Sequence, residues 1–200
     1  MMKLIMATTN KDKVREIREM LTGFDIDIVS LAEAGINAKI DENGTTFEEN
    51  AAIKAETIRD LTNQMVIADD SGLMVDAMDG GPGVYSARFM GEDTGYDEKC
   101  NAILKNLEGL EDEKRGARFV CAMALAYPKE TGKETKIFKG YFEGRIAYEP
   151  KGKNGFGYDP IFFVPEKNRT SAEMTPEEKN EMSHRGKALR LAVEELKKLL

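Results

Sequence analysis

Short apolar runs alternate with stretches of helical period along this chain, and that alternation leaves few architectures open. Lys3 to Ala7 reads as a strand, then Thr8-Thr9-Asn10 as a polar turn. A helix follows, with Val14, Ile17, Met20 and Leu21 on one face and Gly23 as its stop. Asp25 to Val29 alternates as a second strand. A second helix is expected after Thr45-Thr46, with Phe47, Ala51, Ala55 and Ile58 as its buried stripe. Met65 to Ala68 reads as a short buried strand that delivers Asp69-Asp70-Ser71-Gly72 at its C-terminal end. Asp79 to Tyr85 is a Gly- and Pro-rich loop, and Asp97 to Leu107 suits a helix. Ala117 to Tyr127 is continuously apolar; its flanks favour a strand entering a hairpin with Thr135 to Phe142. Ile161 to Val164 is another short strand. Thr175-Pro176-Glu177-Glu178 is a helix start with Thr as cap and Pro at the first position. The last helix carries Ala188, Leu189, Ala192, Val193, Leu196 and Leu199 on one face. Strands and helices intermingle, so the expected class is α/β with a mixed sheet.

Two hundred residues with 41% hydrophobic content can bury one sizeable core, or two lobes sharing one. A net charge of −7 argues against a nonspecific nucleic-acid binder, which needs clustered Lys and Arg. It leaves room for a small phosphorylated ligand held by a local patch of donors or a bridging metal. Cys100 and Cys121 show neither CxxC nor zinc spacing and read as two reduced thiols. The first apolar run is too short for a signal peptide and no segment has membrane-spanning length, so a cytoplasmic protein is expected.

Four places could carry chemistry. Thr8-Thr9-Asn10-Lys11-Asp12-Lys13 sets hydroxyls, an amide and two ammonium groups at a strand-to-helix turn, where free N–H groups favour anions. The segment is not a P-loop, and an ordinary cap followed by a solvated turn is the plainer reading. Asp69-Asp70 closes an apolar strand, and Asp41, Glu42, Glu48 and Glu49 cluster near Lys54. Carboxylates of this kind hold Mg²⁺ while substrate phosphates complete its shell; the plainer alternatives are a turn-forming Asp pair and first-turn acids. Gly155-Phe156-Gly157-Tyr158-Asp159-Pro160 exposes a ring between glycines, suited to stacking on a base, or is a tight turn with its Phe buried. Ser183-His184-Arg185 offers donors to an oxidised purine edge, or is a helix cap with a solvated Arg.

Together these segments resemble the inosine triphosphate pyrophosphatase family, also called XTP/dITP diphosphatases. The match runs in order through Ala7 to Lys13, Thr46 to Ala51 with Lys54, Ala68 to Leu73, Pro82 to Arg88, Gly155 to Pro160, and Glu178 to Gly186. The resemblance implies an elongated α/β fold of one domain, residues 1–200, with two lobes around a central substrate cleft. It further implies a Mg²⁺-dependent homodimer that hydrolyses XTP, ITP and dITP to the monophosphate and pyrophosphate. Thr8, Thr9, Asn10, Lys11, Asp12, Lys13 and Lys54 would hold the triphosphate. Asp70 would act at the metal-and-water centre and Glu42 would help bind Mg²⁺. Ser71 would contact substrate, Phe156, Gly157, Tyr158 and Asp159 would wall the base and ribose, and Lys179, His184 and Arg185 would complete the base pocket. Thr9 departs from many relatives, which have Gly there. The competing expectations are a pyrophosphatase for other modified nucleotides and a nucleotide-binding sensor without catalysis.

Overall fold

The computed structural model describes residues 2–199. Seven strands form one sheet in the order β2-β1-β3-β4-β5-β6-β7. They are β1 (Met2–Met6), β2 (Ile26–Ser30), β3 (Val66–Val75), β4 (Gly116–Ala126), β5 (Lys136–Ile146), β6 (Phe162–Val164) and β7 (Arg169–Thr170). The helices longer than one turn are α1 (Lys11–Met20), α2 (Phe47–Thr62), α3 (Tyr96–Asn106), α4 (Pro176–Met182) and α5 (His184–Lys197). Strand β1 pairs in parallel with β2 and β3, whereas β6 pairs antiparallel with β5 and β7. The mixed α/β expectation holds. Among the described residues no helix is long and apolar enough to cross a membrane.

Two compact units divide the chain. The first comprises Met1–Asp70, Cys121–Gly140 and Arg185–Leu200; the second comprises Ser71–Val120 and Tyr141–His184. In the first unit, β1 lies between two parallel neighbours, so Leu4, Ile5 and Met6 are all buried and its sequence runs apolar rather than alternating. Helix α1 turns Val14 and Ile17 inward onto Leu4, Met6 and Ile28, and α5 adds Ala188, Leu189, Ala192, Val193 and Leu196 to the same core. The second unit packs Cys100, Ile103 and Leu107 of α3 with Leu73, Val75, Phe119, Phe142, Ile161 and Phe162. Both cysteines are buried thiols outside any disulfide, in line with the reading of two reduced thiols.

One boundary expectation fails. The third strand does not end at Ala68: β3 continues through Asp69-Asp70-Ser71-Gly72 to Val75, so the acid pair sits inside a strand and not in a turn. Ser183 is extended (φ −64°, ψ 154°) and separates α4 from α5, so a helix does start directly after it.

Candidate active site

Parallel register sets up the first cluster. Met6 lies opposite Ile67, and the Ala7 N–H donates to the Ile67 carbonyl at 2.8 Å, which brings the start of α1 level with Asp69. The Asn10 side chain caps α1, accepting from the N–H groups of Asp12 (2.9 Å) and Lys13 (3.2 Å). The capped first turn carries Lys13, whose Nζ lies 3.0 Å from the Asp69 carboxylate. Arg185, in the first turn of α5, donates from Nε (3.3 Å) and Nη2 (3.2 Å) to the same Asp69 oxygen. Its Nη1 pairs with Glu16 of α1.

The neighbouring acid is held from α2. Thr46 and Glu49 close a capping box at its start, and Asn50 and Lys54 follow one turn apart on the buried face. Lys54 Nζ bridges Asp70 Oδ1 at 3.0 Å and Glu42 Oε2 at 2.9 Å. Asn50 Nδ2 donates to the other Asp70 oxygen at 3.3 Å, while its Oδ1 accepts from the Gly44 N–H at 2.9 Å. A Cβ at Gly44 would lie 2.7 Å from that Asn50 oxygen, so glycine is required by close approach.

The two adjacent acids therefore differ electrostatically. Burial pushes Asp69 up, but Lys13 and Arg185 outweigh it and hold the carboxyl well below the usual range. Burial also pushes Asp70 up, and Lys54 and Lys13 offset this only in part, so Asp70 stays above the ordinary aspartate range. Burial opposes charge on Lys54, yet Asp70, Asp69 and Glu42 together hold its pKa above the usual lysine value. Three cations (Lys13, Lys54, Arg185) face four carboxylates (Glu16, Glu42, Asp69, Asp70).

The remaining residues of the first turn are more open. Thr8 Oγ1 accepts from the Asn10 N–H at 3.2 Å, Thr9 and Lys11 are exposed, and Asp12 pairs with Arg15 at 2.9 Å. Glu48 pairs with Lys139. Ser71 lies within β3 and is half-buried. Arg185 is 2% exposed, which overturns the reading of a solvated arginine after a cap.

The second unit holds another polar cluster, centred on Asp159. Its Oδ2 accepts from the Phe156 N–H (2.8 Å) and Lys179 Nζ (2.7 Å), and its Oδ1 accepts from the Ser171 hydroxyl (2.9 Å). A Cβ on Gly155, where φ is +72°, would sit 2.1 Å from the Asp159 oxygen, so only glycine fits there. Lys179 Nζ also lies 5.2 Å from the Phe156 ring centroid. Tyr158 is buried and donates its hydroxyl to the Ser86 carbonyl at 2.8 Å. His184 is buried too, stacked on Phe119 with centroids 4.9 Å apart and planes 14° from parallel.

The first unit thus joins Lys13, Glu42, Lys54, Asp69, Asp70 and Arg185; the second joins Phe156, Asp159 and Lys179. Sequence reasoning missed Glu16 and Asn50. Both had a signal: Glu16 lies three residues after Lys13 on α1, and Asn50 lies four before Lys54 on α2, so each shares a helix face with a chosen lysine. Among the described residues, no three or more His, Cys, Asp or Glu side chains gather as a metal cage.

Architecture and cluster define an α/β protein in which β3, α1, α2 and α5 bring lysines, an arginine and carboxylates together. The profile of the Ham1 family matches residues 4–195, and the chain belongs to that family. It is 52% identical over 190 residues to the dITP/XTP pyrophosphatase of Bacillus licheniformis, covering 95% of each chain. It is 50% identical over 190 residues to the enzyme of the same name from Bacillus subtilis, covering 95% of this chain and 94% of that one. A solved HAM1 protein from Coxiella burnetii superposes with a TM-score of 0.89 at 41% identity, over 99% of this chain and 100% of that chain.

Proposed function

We propose that this protein hydrolyses nonstandard purine nucleoside triphosphates, namely XTP, ITP and dITP, to the monophosphate and pyrophosphate, clearing them from the nucleotide pool. The observation that carries the reading is Lys54 bridging Glu42 and Asp70, beside Asp69 gripped by Lys13 and Arg185. Family membership points the same way.

Thr8 to Lys13 and Lys54 take the triphosphate in this reading. The capped start of α1 offers N–H groups and a positive dipole end, and Lys13 and Lys54 add charge. Four carboxylates against three cations would repel a triphosphate, so the cluster favours a ligand that brings a divalent cation. Glu42 and Asp70 supply hard oxygen donors suited to Mg²⁺, which habitually keeps waters and phosphate oxygens in the rest of its shell. Bound there, Mg²⁺ would offset the charge that develops on departing pyrophosphate. Asp70 takes the proton as water attacks phosphorus; the P–O bond to the leaving group breaks and its electron pair goes to pyrophosphate. Asn50 and Lys54 hold the Asp70 carboxylate in place for that transfer.

Phe156 to Asp159 form the base-and-ribose wall, Ser71 contacts substrate, and Lys179 and His184 complete the base pocket. Arg185 stays in the site, with its first task the fixing of Asp69. The working enzyme is read as a cytoplasmic homodimer that binds neither nucleic acid nor membrane. Pyrophosphate release is the test, measured across XTP, ITP, dITP, GTP and ATP with Mg²⁺ and with EDTA. The nonstandard purines should be hydrolysed and EDTA should abolish turnover. Release of orthophosphate with the diphosphate as co-product would sink the reading.

A further inference from the structure

Helix α3 reaches the Gly157–Tyr158 backbone through consecutive contacts. The Cys100 thiol donates to the Gly157 carbonyl at 3.7 Å. The Tyr96 ring meets the Tyr158 ring edge-on, with centroids 5.3 Å apart and planes at 89°. A Cβ built on Gly157 would lie 3.5 Å from the Tyr96 ring, so that ring runs along the glycine backbone. Beneath it, the buried Lys99 donates to the Ala87 carbonyl at 2.6 Å and places its Nζ 5.0 Å from the Tyr96 ring centroid.

Gly157 has φ +68° and no side chain of its own to anchor it. Glycine loses the most conformational freedom on ordering, so a fixed glycine in a binding turn needs restraint from outside. Helix α3 supplies that restraint. Tyr158 is tied at its far end by its hydroxyl on Ser86, and Tyr96 closes the near side. Tyr96 is 37% exposed, unlike the enclosed Tyr158 at 3%. A residue present only to fill the core would not keep so much surface.

We propose that Tyr96 is a positioning residue for the purine: its ring fixes the Gly157–Tyr158 segment, and through that segment the wall against which the base lies. The proposal rests on reading Phe156 to Asp159 as that wall. It does not require Tyr96 to touch the phosphates, so its effect belongs to binding and not to the chemical step.

The test compares wild type, Tyr96→Leu and Tyr96→Phe by steady-state kinetics with XTP and Mg²⁺, by calorimetric binding of XMP, and by thermal melting. Tyr96→Leu should raise KM and weaken XMP binding roughly tenfold, the low end for a lost pocket contact, with kcat within about twofold. Tyr96→Phe keeps the ring and should restore both to within about twofold of wild type. A lower melting temperature in Tyr96→Leu with unchanged KM and XMP affinity would make Tyr96 merely structural and overturn the proposal. Wild type that binds XMP but releases no pyrophosphate would defeat the proposed function alone, since the XMP comparison still decides the role of Tyr96. If Tyr96→Leu does not fold, Tyr96→Met fills similar space without a ring and is expected to show the same loss.

Discussion

Asp69 and Asp70 are adjacent in sequence, point to opposite faces of β3, and have different work. Asp69 is wholly buried and leans on Lys13 and Arg185, so its charge is structural. Removing that charge leaves the buried Arg185 and the half-buried Lys13 each short of a partner. Asp69→Asn is therefore expected to cost about 3–5 kcal/mol, the scale for breaking a buried pair, read from urea denaturation. Asp70 keeps some exposure and is expected to act on water. Asp70→Asn should retain the fold and lower kcat by on the order of a hundredfold; near-normal turnover would remove Asp70 from the chemistry. The guanidinium of Arg185 binds Asp69 and Glu16, so Arg185→Ala should weaken XTP and ATP turnover by the same factor and lower stability. A selective loss on XTP would instead return Arg185 to base reading. The resemblance singled out Asp70, but the pairing of Asp69 with Arg185, and of Arg185 with Glu16, was not legible in the sequence. Asp69 and Arg185 are 116 residues apart, and Glu16 sits in a helix so polar that it reads as solvated.

Elements whose signals are local were legible. The helix starts after Asn10 and Thr46, the Thr175–Glu178 box with Pro176, and the inward stripes of α1 and α2 all appear as read, because a cap and its recipient N–H lie within three residues. Elements settled by distant partners were not. A strand passing through two aspartates looks forbidden until Lys13, Lys54 and Arg185 arrive to offset their burial. The capping box of α2 matters beyond stability, because that helix presents Asn50 and Lys54 to Asp70. Thr46→Ala is expected to cost about 1 kcal/mol, seen as a lower urea midpoint with an unchanged slope. If the midpoint does not move, the box is not holding the helix start.

Across the whole molecule, the class of fold was legible, since alternating strands and helices admit few sheets. The division into two units was not, because β3, β4 and β5 each run from one unit into the other with no linker to mark the passage. Each unit carries its own burden of titrating groups, and this gives a pH dependence with two limbs. In the first unit, hydrogen bonds from Arg18 and Ser30 bring Glu33 down to about 2, and Lys136 and Lys198 do the same for Glu195. Depressed carboxylates contribute stability above their ordinary value near 4.5, and lose it as pH falls toward about 2. On the alkaline side, burial pushes Tyr127 of the first unit up to about 12, with Glu195 adding to the effect. In the second unit, burial, then Asp97 and Asp159, push Cys100 up to about 12. Groups raised in this way stabilise fully below their ordinary values of 9.0 and 10.0, and that contribution is lost as pH rises toward about 12. The urea midpoint should therefore fall below about pH 4.5 and again above about pH 9, with a plateau between. Cys100→Ala removes one alkaline contributor, so it should flatten the upper limb and leave the acid limb as it was. The same burial should keep native Cys100 unreactive toward iodoacetamide at pH 8, where an exposed thiol would be alkylated. Rapid alkylation of Cys100 in the folded protein, or an alkaline limb identical in wild type and Cys100→Ala, would show that the packing of α3 against Gly157 does not keep water from the thiol.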